Sequence, residues 1–173
     1  QLRELNEAIR LVGPKDPLSY LLYDLVGRTL VETGDFRAAR SMRDNALQVT
    51  NDRGNKFYQA NFLAGIAVRL FDKEGARKYL ATAEELFAAV RATNRDWPQF
   101  RDLWDAVLSD AKGNVNGMLG YLKEAEADYR TCVTAIRAYL EKIRKGPDGI
   151  WYPYLPRCLS RAMAFAAMVG KIR

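Results

Sequence analysis

The sequence predicts an all-α fold of about eight antiparallel helices, and three observations carry that prediction. Apolar residues recur at helical spacing along nearly the whole chain, Gly and Pro cluster at the breaks, and small residues return at one fixed spacing in three successive helix pairs. Strand-like alternation is nearly absent. With 173 residues, 49% of them apolar and 28% charged, the chain has ordinary globular composition and length enough for a core.

The first helix is expected over 2–12, where Leu2, Leu5, Ile9 and Val12 share a face, and Gly13-Pro14 ends it. The second, 18–33, carries Leu22, Leu25, Val26 and Leu30 and stops at Gly34-Asp35. The third, 36–50, runs to the break from Asn51 to Gly54, which sets the fourth at 56–71 and the fifth at 73–93. Trp97-Pro98 opens the sixth, 98–118. Gly113, Asn114, Asn116 and Gly117 are weak helix formers within it. Leu108, Ala111, Val115, Met118 and Leu122 nonetheless keep one apolar stripe through that stretch, so the helix is expected to be continuous, with a break near Gly113 as the alternative. The seventh, 121–145, ends at Gly146-Pro147, and the eighth, 155–169, follows Pro153.

The repetition lies in the small residues. Gly27 precedes Ala39 by twelve residues, as Ala64 precedes Ala76 and Gly113 precedes Ala125, and seven residues after each alanine come Ala46, Ala83 and Cys132. Close helix-on-helix contact demands small residues, since a branched side chain there would push the axes apart. The stretch "YDLVGRTLVETGDFRAARSMRDNAL" places Tyr23, Val26, Gly27, Leu30, Gly34, Asp35, Phe36, Ala39, Ala46 and Leu47 in the pattern of the tetratricopeptide repeat family, which it resembles. Arg43 departs from that pattern where an aromatic is usual, and Phe71 stands where the second unit would have its turn glycine. "KEAEADYRTCVTAI" is similar to the longer repeats of kinesin-light-chain-like and bacterial signalling proteins.

The resemblance implies a right-handed α-α superhelix with a half repeat at 1–13, repeats at about 18–50, 56–93 and 98–145, and a half repeat at 154–173. Both ends read as cut from a longer protein. It also implies a module that holds a protein or peptide in a concave groove lined by the first helix of each pair. Asp24, Arg28, Tyr58, Asn61, Arg69, Asp110, Asn114, Arg157 and Arg161 are expected toward that groove. Arg157 and Arg161, four residues apart, match the two basic members of the family's carboxylate clamp. The Lys and Asn of a full clamp are missing, because Asp24 and Arg28 occupy one such pair of places and Asn61 and Gly65 another.

The residue inventory excludes much chemistry. There is no histidine, which removes the commonest general base, metal ligand and nucleophile partner. Cys132 and Cys158 are too few and too far apart for a zinc set, and they read as small buried thiols, with a disulfide as the alternative. Glu84-Glu85 and Glu124-Glu126 lie on expected solvent faces without the partners an acid/base site needs. No nucleotide motif is present, no cofactor is expected, and no apolar run approaches the roughly 18 residues of a membrane span.

Charge is uneven. From Tyr129 onward the chain holds nine Lys or Arg against Glu141 and Asp148, so the net +6 is concentrated at one end. An acidic peptide is the partner this favours, with nucleic acid or a purely architectural spacer as alternatives. Trp151, Tyr152 and Tyr154 are expected to cap the stack or mark a partner hot spot. Leu159, Met163, Ala166 and Met168 on the last helix form an uncapped face open to self-association.

Overall fold

A computed structural model describes residues 2–93 and 97–144 together with 160, 161, 163 and 164. All regular structure among them is helical: α1 (Leu2–Val12), α2 (Ser19–Glu32), α3 (Phe36–Val49), α4 (Arg53–Arg69), α5 (Lys73–Thr93), α6 (Trp97–Leu119) and α7 (Leu122–Arg144). That is seven helices among the described residues where about eight were expected. The range 155–169 of the eighth overlaps them at four positions, all helical. The segment with Trp151, Tyr152, Tyr154 and Arg157 lies outside the described residues, as do Leu159, Ala166 and Met168.

The chain divides into two units, Gln1–Val90 and Arg91–Arg173. In the first, α1 packs on α2, α2 on α3 and α3 on α4. Its core gathers Ile9, Tyr23, Val26 and Ala46, with Leu22, Leu30, Met42 and Val49 partly buried around them. Phe57 of α4 meets Phe87 of α5 with ring centroids 5.7 Å apart. In the second unit α6 packs on α7, burying Leu103, Val107, Ala111 and Val115 together with Tyr129, Cys132 and Ile136.

Every member of the small-residue frame is buried: Gly27, Ala39, Ala46, Ala64, Ala76, Ala83, Gly113, Ala125 and Cys132. Gly113 is needed for contact rather than for flexibility, since a Cβ there would stand 2.8 Å from the Tyr129 ring. This explains how α6 stays continuous through residues of poor helix propensity: the position that weakens the helix lets α7 approach it.

One turn geometry joins the two helices of three successive pairs. The amide of Asp35 reaches the Leu30 carbonyl at 2.9 Å and that of Gly34 reaches Val31 at 3.2 Å. Asp72 to Ala67 and Phe71 to Val68 repeat this at 2.9 and 3.1 Å, and Tyr121 to Asn116 and Gly120 to Gly117 at 2.9 and 3.2 Å. These paired bonds form the Schellman closure, which needs a left-handed residue at its centre. Gly34 and Gly120 supply it at φ 83° and 86°, whereas Phe71 is forced to φ 55°. The next helix starts at once, with Asp35 and Asp72 accepting from the amides of Ala38 (3.0 Å) and Gly75 (2.8 Å).

Cys132 corrects one expectation. It is buried but disulfide-bonded rather than a free thiol; the chain's other cysteine, Cys158, lies outside the described residues.

Two stability outcomes follow from this geometry. Ala39→Glu and Ala76→Glu should each cost about 3 kcal/mol or more, by overpacking and by an unpaired buried charge; unchanged melting temperatures in both would show the frame to be wrong. Phe71→Gly should stabilise the first unit by about 0.5–1 kcal/mol, because relief of a left-handed L-residue outweighs glycine's entropy. Urea denaturation checks the sign, and a loss of stability would contradict the strain.

Candidate functional site

Arg43 stands on the buried face of α3, one helical turn from Ala39 and from Ala46, and is 1% exposed. A cation in such a place requires a counter-charge and filled hydrogen bonds. Its Nη1 donates to Asp24 Oδ1 on α2 at 2.5 Å and to Gln59 Oε1 on α4 at 2.9 Å. The guanidinium lies over the Phe62 ring, 4.3 Å from its centroid. Gln59 Nε2 donates in turn to Asp24 Oδ1 at 2.7 Å and to the Tyr20 hydroxyl at 3.3 Å. On the solvent side Arg28 pairs with Asp24 Oδ2 at 2.7 Å. Burial pushes the Arg43 guanidinium below its usual range, and the Asp24 charge pushes it back up. Burial likewise raises the Tyr20 phenol. Arg43 Nε alone of this group is buried with no hydrogen-bond partner among the described residues.

Gly27 makes the passage for this side chain. A Cβ there would lie 3.0 Å from both Cγ and Nε of Arg43. The small position of the repeat frame therefore holds α2 and α3 close and admits an arginine between them.

A second polar set ties α3 to α5. Arg40 Nη1 donates to Asp72 Oδ2 at 2.7 Å, Arg40 lies 5.4 Å from the centroid of the Tyr79 ring, and the Tyr79 hydroxyl donates to Asp44 at 2.9 Å. The Gly75 amide and Arg40 hold the Asp72 carboxyl below its usual range, while burial raises the Tyr79 phenol. Gly75 is again the enabling gap: a Cβ there would meet Asp72 Oδ2 at 2.3 Å.

The expected groove residues divide sharply. Asp24, Asn61 and Asp110 do not face solvent: all three are buried. Each has at least one polar atom paired, although Asn61 Oδ1 and Asp110 Oδ1 have no hydrogen-bond partner among the described residues. Asp24 belongs to the Arg43 cluster, Asn61 Nδ2 donates to the Phe57 carbonyl at 2.7 Å, and Asp110 accepts from Arg161. Arg28 and Arg69 are exposed, and Tyr58 is half-buried beside Phe57. In the second unit Asn114 donates to the Asp110 carbonyl at 2.6 Å and accepts from the Tyr129 hydroxyl at 3.1 Å. Arg161, expected toward the groove, pairs with the buried Asp110 carboxylate. Arg157 lies outside the described residues.

Sequence reasoning missed Arg43 and Gln59 as members of a site. The signal was present, since a charged residue between two alanines of the buried frame implies an acid across the helix interface. Leu25 was also expected on the core face of α2. The buried face is instead set by Tyr23, Val26 and Gly27, which leaves Leu25 on the far side.

That far side is apolar. Leu18, Leu21 and Leu25 are 71%, 68% and 42% exposed, and Arg28 continues the same stripe one turn on. No family model and no curated protein matches the chain. Among the described residues no cluster of three or more Cys, Asp or Glu side chains forms a metal site. The polar groups around Arg43 bond mainly to one another, and the exposed surface of α2 carries the leucine stripe.

Gly27→Ala tests the lock on Arg43. Alanine favours a helix over glycine by about 1 kcal/mol, but the guanidinium is held on three sides and has no room to withdraw. The substitution should therefore destabilise the protein, and the same substitution in an Arg43→Met background should stabilise it. Chemical denaturation of the four proteins decides; a stabilising Gly27→Ala in the native background would mean Arg43 is free to move.

Proposed function

We propose that this chain is a tetratricopeptide-type module, a right-handed superhelix of helical pairs, that binds a polypeptide partner rather than catalysing a reaction. Three pairs closed by one turn geometry over one small-residue frame support the repeat reading. The observation that carries the binding reading is the stripe of Leu18, Leu21, Leu25 and Arg28 on the side of α2 opposite its core face. Helices of soluble proteins turn charged or polar residues outward, so three exposed leucines at helical spacing mark a surface made to be covered.

The partner is a segment with apolar side chains three to four residues apart and an acid within reach of Arg28, which is 60% exposed. By its resemblance the chain is the interaction or regulatory part of a larger bacterial protein. The disulfide at Cys132 favours an oxidising compartment for it, since such bonds rarely persist in a reducing cytosol.

The test is retention of partner by the immobilised chain. Leu21→Asp with Leu25→Asp changes only exposed positions and should leave helicity and melting unchanged while weakening the retained partner at least ~10-fold, about 1.4 kcal/mol. Equal retention by the folded double variant would remove this face from the function.

A further inference from the structure

The turn between α4 and α5 carries Phe71, at 84% the barest large apolar side chain among the described residues. It sits at φ 55°, where the equivalent turns have Gly34 and Gly120. A bare aromatic in a strained backbone lowers stability and gains no packing within the chain. Strain of this kind persists at sites with another use.

The surroundings of Phe71 are basic. Arg69, Lys73, Arg77 and Lys78 are all exposed and lie within seven residues of it, and none is held in an ion pair among the described residues. Lys73 and Arg77 are four apart and share a helical face. Of the two nearby acids, Asp72 is already spent on Arg40 at 2.7 Å and on the Gly75 amide at 2.8 Å, which leaves Glu74 as the exposed one. The turn thus carries a protruding aromatic flanked along the chain by exposed cations with long apolar stems.

We propose that this turn docks the protein on an anionic lipid surface. Phe71 enters the boundary between headgroups and acyl chains, while Arg69, Lys73, Arg77 and Lys78 meet lipid phosphates. Charge complementarity requires an anionic partner, and the shape of the patch selects a lipid one. A side chain this exposed offers no concavity for a peptide residue to enter, whereas a fluid interface closes around a protrusion. Lysine and arginine stems allow the charges to stay at phosphate level as the ring sinks.

Flotation with vesicles of phosphatidylcholine, with and without one third phosphatidylglycerol, tests this. The wild-type chain should float with the anionic vesicles only, and added salt should reduce its binding. Phe71→Gly, which removes both the ring and the strain and so keeps the fold, should bind at least about five-fold more weakly. Lys73→Glu with Arg77→Glu should abolish binding. Indifference of the wild type to anionic vesicles, or equal binding by Phe71→Gly, would overturn the proposal. So would Phe71-dependent binding of polyglutamate or single-stranded RNA without vesicle binding, which would assign the turn to a macromolecular partner.

Discussion

The first unit is organised by one buried ion pair. Arg43 comes from α3, Asp24 from α2, and Gln59 of α4 bonds to both. Three helices are held by groups that cannot be solvated and cannot exchange partners without leaving a charge bare. Removing two ions from water costs more than apolar packing would, so the pair is a poor source of stability compared with an apolar side chain of similar size at this place. What it supplies is direction. Apolar helix faces tolerate small slips against one another, whereas a guanidinium threaded past Gly27 onto a carboxylate and an amide accepts a single register.

The second polar set applies the same constraint one helix further on. Arg40 and Asp44, four residues apart on α3, reach Asp72 and Tyr79 at the start of α5. Asp72 therefore both caps α5 and anchors its end, through a turn that its neighbour Phe71 closes under strain. Buried frame, polar ties and two turns of the same hydrogen-bond pattern link α2 to α5 at several points. The exposed leucines of α2 and the basic turn before α5 are carried on these tied helices.

The helices were legible because their periodicity is strong, and the small-residue frame because burial leaves no alternative to Gly, Ala or Cys at such contacts. The start of α4 was placed late. Gly54 reads as a breaker, yet Asp52 accepts from the Asn55 amide at 2.7 Å and caps a helix that begins at Arg53. The burial of Asp24, Asn61 and Asp110 was not legible. A polar residue on such a helix reads as exposed until its buried partner is known, and the buried partner of Asp24 and the partner of Asp110 lie 19 and 51 residues away with no periodic trace. Arg43 looked like a departure from a pattern, and its meaning depended on a carboxylate that no spacing rule connects to it.

A double-mutant cycle on Asp24 and Arg43 tests the organising role of the pair most directly. Asp24→Asn, Arg43→Met and the double variant would be compared with the wild type by urea denaturation. Each single variant should strand a buried polar group, and the double variant should be about 2 kcal/mol more stable than the summed single losses imply. Additivity within about 0.5 kcal/mol would contradict it, and would mean that the two residues are neighbours in the structure without depending on each other.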